Sequence, residues 1–300
     1  MNNILSNQAV FQLPERIVQP HSWVFHIPFA FYLVDIIKPK TIVELGIHSG
    51  NSYFAFCQAV KQSNCNTVCF GIDHWKGDKH AGNYDEEIFN DVHTYNQDHY
   101  SDFSYLIKKD FDDALTDFSD FSIDLLHIDG LHTYERVKHD FESWLPKLSK
   151  NAIVLLHDVN VRRDDFGVWK FFDELSKEYY NTVFNFGYGL GLIYIGNDID
   201  NESINNFLKD IEDGNKYLFR LLGERISYIA RYNDLTSQYE NEKKQTSAFQ
   251  HKIEFLENES KKNLEEKDKQ IDQLNELNKS LTEEKDKQID QLNELNKSLT

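Results

Sequence analysis

The sequence predicts an α/β fold: a doubly wound, mostly parallel sheet of seven strands with an antiparallel strand pair at its C-terminal end, followed by a long α-helical tail. Three observations predict it. Short apolar and β-branched runs alternate with helical stretches from Thr41 to Ile195, the pattern of a sheet with helices on both faces. Three of these runs end on an aspartate, Asp73, Asp129 and Asp158, at the carboxyl edge where such sheets bind ligands. The chain then closes in a perfect tandem repeat, EEKDKQIDQLNELNKSLT, at Glu265–Thr282 and again at Glu283–Thr300.

Residues 1–35 read as an extended lead-in with a covering helix, because three of the five prolines (Pro14, Pro20, Pro28) lie there. Aromatic residues from Trp23 to Tyr32 begin the helix, and Pro39 stops it. The strands are expected at Thr41–Leu45, Thr67–Ile72, Tyr105–Lys108, Ile123–Ile128 and Ala152–Leu156. Helices are expected at 52–62, 111–118 and 167–179, and around Val137, Phe141 and Trp144, whose spacings of four and three mark one helical face. Runs 182–186 and 190–195, joined by Gly187-Tyr188-Gly189, read as the antiparallel pair. Trp75–Tyr100 is long for a connection and rich in His, Tyr and acid, so it is expected to fold over the site. The expected domains are 36–200 for the sheet, 201–234 for a helical connector and 235–300 for the tail.

Composition limits the function. A net charge of −18 argues against nucleic-acid binding. Three cysteines, Cys57, Cys65 and Cys69, are too few and too close for a disulfide framework. They read as core thiols of a cytoplasmic protein, with zinc the weaker reading. The N-terminus lacks a signal-peptide pattern, and no run of about 20 apolar residues is present to span a membrane. In the tail, 18 residues over five turns is 3.6 per turn, so Ile271, Leu274, Leu277 and Leu281 stay on one face as the repeat recurs. Ile289, Leu292, Leu295 and Leu299 repeat that stripe, interrupted by a four-residue stutter, and asparagines weaken the seam. A weakly supercoiled coiled coil is expected. The chain stops at a repeat boundary, as a piece of a longer chain would.

The stretch TIVELGIHSGNS, Thr41–Ser52, runs strand, glycine turn, helix, a Rossmann-like nucleotide-site architecture. It lacks the GxGxxG of dinucleotide sites, with His48 at the middle glycine position. Glu44 before the turn and Gly46-x-x-x-Gly50 suit S-adenosylmethionine better than NAD. Asp73 would accept both ribose hydroxyls. In LLHIDGLHTYE, Asp129 ends a strand and His132 follows by three; LLHDVN brings Asp158 to the same edge. Two carboxylates with an imidazole suit a divalent cation such as Mg²⁺, or they cap loops and helices. His127, inside an apolar strand, reads as a core histidine.

Together VELGIHSGNS, FGIDHWKGDKHAG, IDLLHIDGLHTYERVKHDFESWLPKL, LLHDVNVRRDDFGVWKFFDEL and GYGLGLIYIG resemble a class I S-adenosylmethionine-dependent methyltransferase over about 36–196. The nearest likeness is to small bacterial proteins of the macrocin O-methyltransferase and cephalosporin-hydroxylase-like kind, often joined to glycosyltransferases. The resemblance implies O-methylation of a saccharide or glycan-type acceptor, with S-adenosylmethionine as cofactor. Glu44, Gly46, Gly50 and Ser52 match its cofactor loop and Asp73 its ribose acid. Trp75 would flank the adenine and Asp110 would meet its amine. Asp129 and His132 match the catalytic pair, His132 as general base, and Asp129 and Asp158 match metal carboxylates. His157 stands where a glutamate is usual, so a metal is either absent or a softer ion such as Mn²⁺. Lys150-Asn151 replaces a usual Gly-Gly, where asparagine tolerates a left-handed turn. Arg162 and Arg163 would face an acceptor phosphate or uronate, or form a solvated charge cluster. The tail would form a homo-oligomer or hold an assembly partner. The rival reading is a non-catalytic methyltransferase-like scaffold working through the tail.

Overall fold

The computed structural model describes residues 4–80, 82–83, 86–196, 202–212 and 215–298. The expected boundary at residue 200, the repeat's Leu299, and Ala81, Tyr84 and Asp85 of the long connection lie outside the described residues. So do the side chains of Leu292 and Leu295.

A seven-stranded sheet organises the chain. Its strands are β1 (Thr41–Leu45), β2 (Val68–Asp73), β5 (Ser104–Lys108), β6 (Ile123–Ile128), β7 (Leu148–His157), β8 (Tyr180–Phe184) and β9 (Leu190–Tyr194), in the order β5-β2-β1-β6-β7-β9-β8. A separate two-stranded ribbon pairs β3 (Gly77–Asp78) with β4 (Gly82–Asn83). All pairings from β5 to β7 are parallel. The two at the other edge are antiparallel, with β9 inserted between β7 and β8. The antiparallel pair expected from sequence is therefore present, with its second strand inside the sheet.

The helices are α1 (Ile27–Ile37), α2 (Asn51–Gln62), α3 (Glu86–Tyr100), α4 (Phe111–Ala114), α5 (Tyr134–Trp144), α6 (Val168–Leu175), α7 (Glu202–Glu212) and α8 (Asn215–Ser298). Strand residues alternate between two cores, because successive side chains point to opposite faces. Ile42, Leu125 and Ile153 join α1 and α2 on one side. Val43, Leu126 and Val154 join α5 and α6 on the other. Both faces of the central strands are buried, which is why they read as unbroken apolar runs. α7 and the start of α8 add Phe207, Phe219 and Ile226 to the first core, beside Phe29, Tyr32 and Phe184.

β7 starts earlier than expected, so Lys150 and Asn151 lie within an extended strand, with no left-handed turn. Asn151 instead accepts a hydrogen bond from Tyr194 at 3.1 Å. Cys57, Cys65 and Cys69 are free thiols. Among the described residues no helix is long and apolar enough to cross a membrane.

The chain divides into a compact unit to Tyr232 and a second from Asn233. In the second unit α8 is unbroken to Ser298, and Leu235, Phe249, Ile253, Leu256, Ile271, Leu274, Leu277 and Leu281 are all exposed.

One buried charge lies outside the site. Asp140 on α5 is 1% exposed, and its carboxylate has an ion-pair contact with Arg136 at 3.0 Å but no hydrogen bond. Burial pushes its pKa up to about 7, against the pull of Arg136. The folded state therefore binds a proton that the unfolded chain releases near pH 4. The contribution of Asp140 to stability should fall as pH rises from about 4 to 7 and then level off. Asp140→Asn should remove that slope and, above pH 7, gain on the order of 2–4 kcal/mol. Denaturant unfolding at pH 5 and 8 checks this; an unchanged slope would refute it.

Candidate active site

Strand β1 delivers the chain into a turn that only glycine permits. Gly46 has φ +92°, and a Cβ there would sit 2.2 Å from the Asp129 carbonyl oxygen. The Gly46 amide donates to the Ile72 carbonyl at 2.9 Å, and the Asp129 amide donates to the Leu45 carbonyl at 2.8 Å. The ends of β2, β1 and β6 are thus drawn together. His48 and Gly50 are also left-handed, which brings the N-terminus of α2 to the same edge.

The expected cofactor residues divide into three groups. Gly46, Asp73 and Asp110 line one cavity, of about 470 Å³, while Gly46 and Ser52 line an adjoining one of about 340 Å³. Gly50 caps α2. Glu44 and Trp75 line neither. Glu44 is fully buried, accepts from the Ser52 hydroxyl at 2.5 Å, and faces His127 Nδ1 at 3.2 Å. Trp23 Nε1 donates to His127 Nε2 at 3.2 Å, so the ring proton sits on Nδ1, facing Glu44. Burial raises the Glu44 pKa, against His127 and Ser52. Its contacts are to the protein itself, as a holder of the loop. Trp75 is buried against Phe89 and donates to the His48 carbonyl at 3.1 Å. It braces the loop and is not placed to flank a ring in the cavity.

Asp73 Oδ2 already accepts from the amides of Ile47 (2.9 Å) and His48 (3.1 Å), and Oδ1 from that of Trp75 (2.7 Å). With two lone pairs per oxygen, one acceptor position remains. That is half of what binding both ribose hydroxyls requires. Asp110, at the start of α4, makes no side-chain capping bond. Six aspartates line this cavity (Asp73, Asp78, Asp110, Asp112, Asp113, Asp129), against the single arginine Arg136. Such a surface attracts a cation bearing hydrogen-bond donors and repels a pyrophosphate.

The smaller cavity shares Gly46, His48 and Asp129 with the first and is also lined by His132, His157 and Asp158. His132 Nε2 lies 3.2 Å from Asp129 Oδ1 and 2.9 Å from Asp158 Oδ2. Burial opposes charge on His132, but the two carboxylates prevail and push its pKa up to about 10. In this arrangement the ring carries both protons and has no lone pair with which to act as the expected base. Donor atoms of Asp129, His132 and Asp158 all lie within 4.8 Å of one another, as a shared cation would require. His157 is different. Its Nδ1 faces Asp129 at 3.3 Å, and its Nε2 meets the Gly187 carbonyl at 3.1 Å. Burial opposes its charge as well, yet Asp129 and Asp158 push its pKa up to about 9. The donor atoms that converge within 4.8 Å are those of Asp129, His132 and Asp158, while His157 faces Asp129 from beside them.

Sequence reasoning missed His48, His80, Phe166 and Tyr188 as cavity residues. Phe166 stacks on His132 (4.9 Å between ring centres) and on His80 (4.3 Å). The loop carrying it is held by the Gly167 amide, which donates to the His132 carbonyl at 2.8 Å. Among the described residues of the long connection, Gly77, Asp78 and His80 line the cavities; α3 packs against β5. Its composition marked the region but not His80.

The backbone contact at Gly46 makes a ranked prediction. Gly46→Ala should destabilise the fold by about 2 kcal/mol or more, since both its φ and the facing carbonyl resist a Cβ. Gly50→Ala meets only the movable Phe54 ring and should cost less. Thermal unfolding of both variants checks the order, and the reverse order would dismiss the Gly46 contact as the tighter constraint.

Residues 43–159 match the family described as "Methyltransferase domain". An uncharacterized protein, y4gI, of Sinorhizobium fredii is 49% identical over 181 residues, which are 60% of this chain and 20% of that protein. The chain thus spans about a fifth of that relative's length. Among solved structures, a putative caffeoyl-CoA O-methyltransferase from Staphylococcus aureus aligns with 18% identity over 60% of this chain and 86% of its own, at a TM-score of 0.47. An O-methyltransferase from Bacillus cereus aligns with 15% identity over 61% and 84%, at 0.44. The likeness to a methyltransferase domain is confined to residues 43–159 of the 300.

Proposed function

We propose that the protein transfers a methyl group from S-adenosylmethionine to a hydroxyl of a saccharide or glycan-type acceptor. The observation that carries this reading is the pair of cavities meeting at Gly46, His48 and Asp129. The aspartate-lined cavity suits a cofactor that carries sulfonium and ammonium charges and sugar hydroxyls. Asp73 offers its remaining acceptor position and Asp110 its carboxylate. The second cavity, with aromatic and polar walls, suits the acceptor.

When bound, S-adenosylmethionine supplies an electrophilic methyl group. The acceptor oxygen forms the new bond to carbon as the carbon–sulfur bond breaks, and the hydroxyl proton must leave. In-line placement supplies much of the rate. The Asp129–His132–Asp158 cluster stands at the junction to receive the proton, through a carboxylate while His132 is charged. A divalent cation such as Mg²⁺ or Mn²⁺ would be held by Asp129, Asp158 and His132 once the imidazole has given up a proton, and would lower the hydroxyl pKa there. Asp129→Ala should then cut transfer at least 100-fold while S-adenosylhomocysteine still binds. The assay is transfer of labelled methyl to cell-envelope glycans with and without Mg²⁺ or Mn²⁺. Cofactor binding without transfer to any glycan would favour a methyltransferase-like scaffold, and undiminished transfer by Asp129→Ala would remove the cluster from the mechanism.

The tail acts in this reading as a coiled coil joining copies of the chain in the cytoplasm. The exposed stripe from Ile271 to Leu281, repeated from Ile289, supports it. Leu274→Asp with Leu277→Asp in the full chain should lower the sedimentation mass to that of a monomer. A monomeric wild type would refute the tail's role.

A further inference from the structure

We propose that Arg163 makes the acceptor cavity an anion-reading subsite, so that the acceptor is a saccharide bearing a carboxylate or phosphate group. The proposal rests on the reading of that cavity as the acceptor site, and narrows its substrate class. It starts from the charges that line the cavity. Asp129 and Asp158 are matched by His132 and His157 within 3.6 Å. His80 is tied to Asp165 at 2.6 Å, and Lys79 pairs with the same carboxylate. Arg163 lines the cavity, and among the described residues its guanidinium has neither an ion-pair partner nor a hydrogen bond. In a chain with 50 acidic and 32 basic residues, this exposed guanidinium at a cavity wall is open to an anionic ligand.

Its neighbour shows the contrast. Arg162 donates to the Val159 carbonyl at 2.7 Å and lies over the Trp169 ring at 4.5 Å, so it is spent on holding the loop. The Arg163 guanidinium lies 5.8 Å from the centre of the Phe166 ring. Phe166 in turn stacks on His132. One aromatic ring therefore separates the free guanidinium from the cluster that faces the reacting hydroxyl. Tyr188, 55% exposed, lines the same cavity and offers an aromatic face for a sugar ring. A guanidinium binds carboxylate or phosphate in a two-pronged fashion that an ammonium cannot match. The neighbouring cavity, with its six aspartates, rejects the same anions. Charge alone would then sort the two ligands, the cation to one side and the anion to the other.

The test is calorimetric titration of the full chain, saturated with S-adenosylhomocysteine, using glucose, glucuronate and glucose 6-phosphate as probes. At least one anionic probe should bind about tenfold or more tighter than glucose; which one separates carboxylate from phosphate as the group read. Arg163→Ala should abolish that preference and Arg163→Lys should keep part of it, with unchanged thermal unfolding. Equal binding of all probes, no measurable binding of either anion, or a preference that survives Arg163→Ala overturns the proposal. A tenfold loss of S-adenosylhomocysteine affinity in Arg163→Ala overturns it differently, by assigning the guanidinium to the cofactor's own carboxylate. Failure of the wild type to bind S-adenosylhomocysteine at all defeats the underlying methyltransferase reading instead.

Discussion

The close approach of Gly46 to the Asp129 backbone is the constraint on which the rest depends. Parallel strands leave their carboxyl ends side by side, and here two of them are pressed together until no side chain fits between. The contact fixes the floor shared by both cavities. It sets Asp129 at their junction, with His132 one turn of chain beyond. Buried supports hold the loop from beneath. Glu44, His127 and Trp23 form one polar chain through the first core, and Asp73 gathers three amides of the turn. Such groups are costly to leave unpaired in a low-dielectric interior, so each holds its partner in place.

The two cavities differ in how their charges are settled. On the cofactor side six aspartates face one arginine, so the lining carries an excess of negative charge. On the acceptor side each acid has an imidazole, and the cluster is close to neutral apart from Arg163. Charge sorting of this kind requires no moving part. It follows from which residue types the strand ends and loops carry.

Much of the fold was legible because parallel strands buried on both faces announce themselves. The bounds of β1 and β6 agree with the expected ones, and Asp73, Asp129 and Asp158 stand at the edge that their strand-end positions implied. The parts that were not legible depend on contacts distant in sequence. Glu44 looked like a ligand residue, yet its partner His127 lies on the next strand, and no local pattern records that pairing. Trp75 turned inward onto Phe89 for the same reason. His157, expected as a metal ligand, also meets the Gly187 carbonyl, 30 residues on, a contact that no local pattern records. Phe166 and Arg163 reach the cavity only because the loop from Asp158 is held against His132 by the Gly167 amide.

The Gly187 carbonyl is met by two histidines, His26 and His157, at 3.0 and 3.1 Å. Its partners lie 161 and 30 residues earlier in the chain. During synthesis the ribosome must therefore deliver the β8–β9 hairpin before His157 can settle and Asp129 can acquire its neighbour. The sheet's parallel half can assemble earlier, since β1, β2, β5 and β6 pair among themselves. Long-range closures of this kind form late and slowly. A nascent chain released before the hairpin emerges would hold a nearly complete sheet beside an unfinished reaction centre.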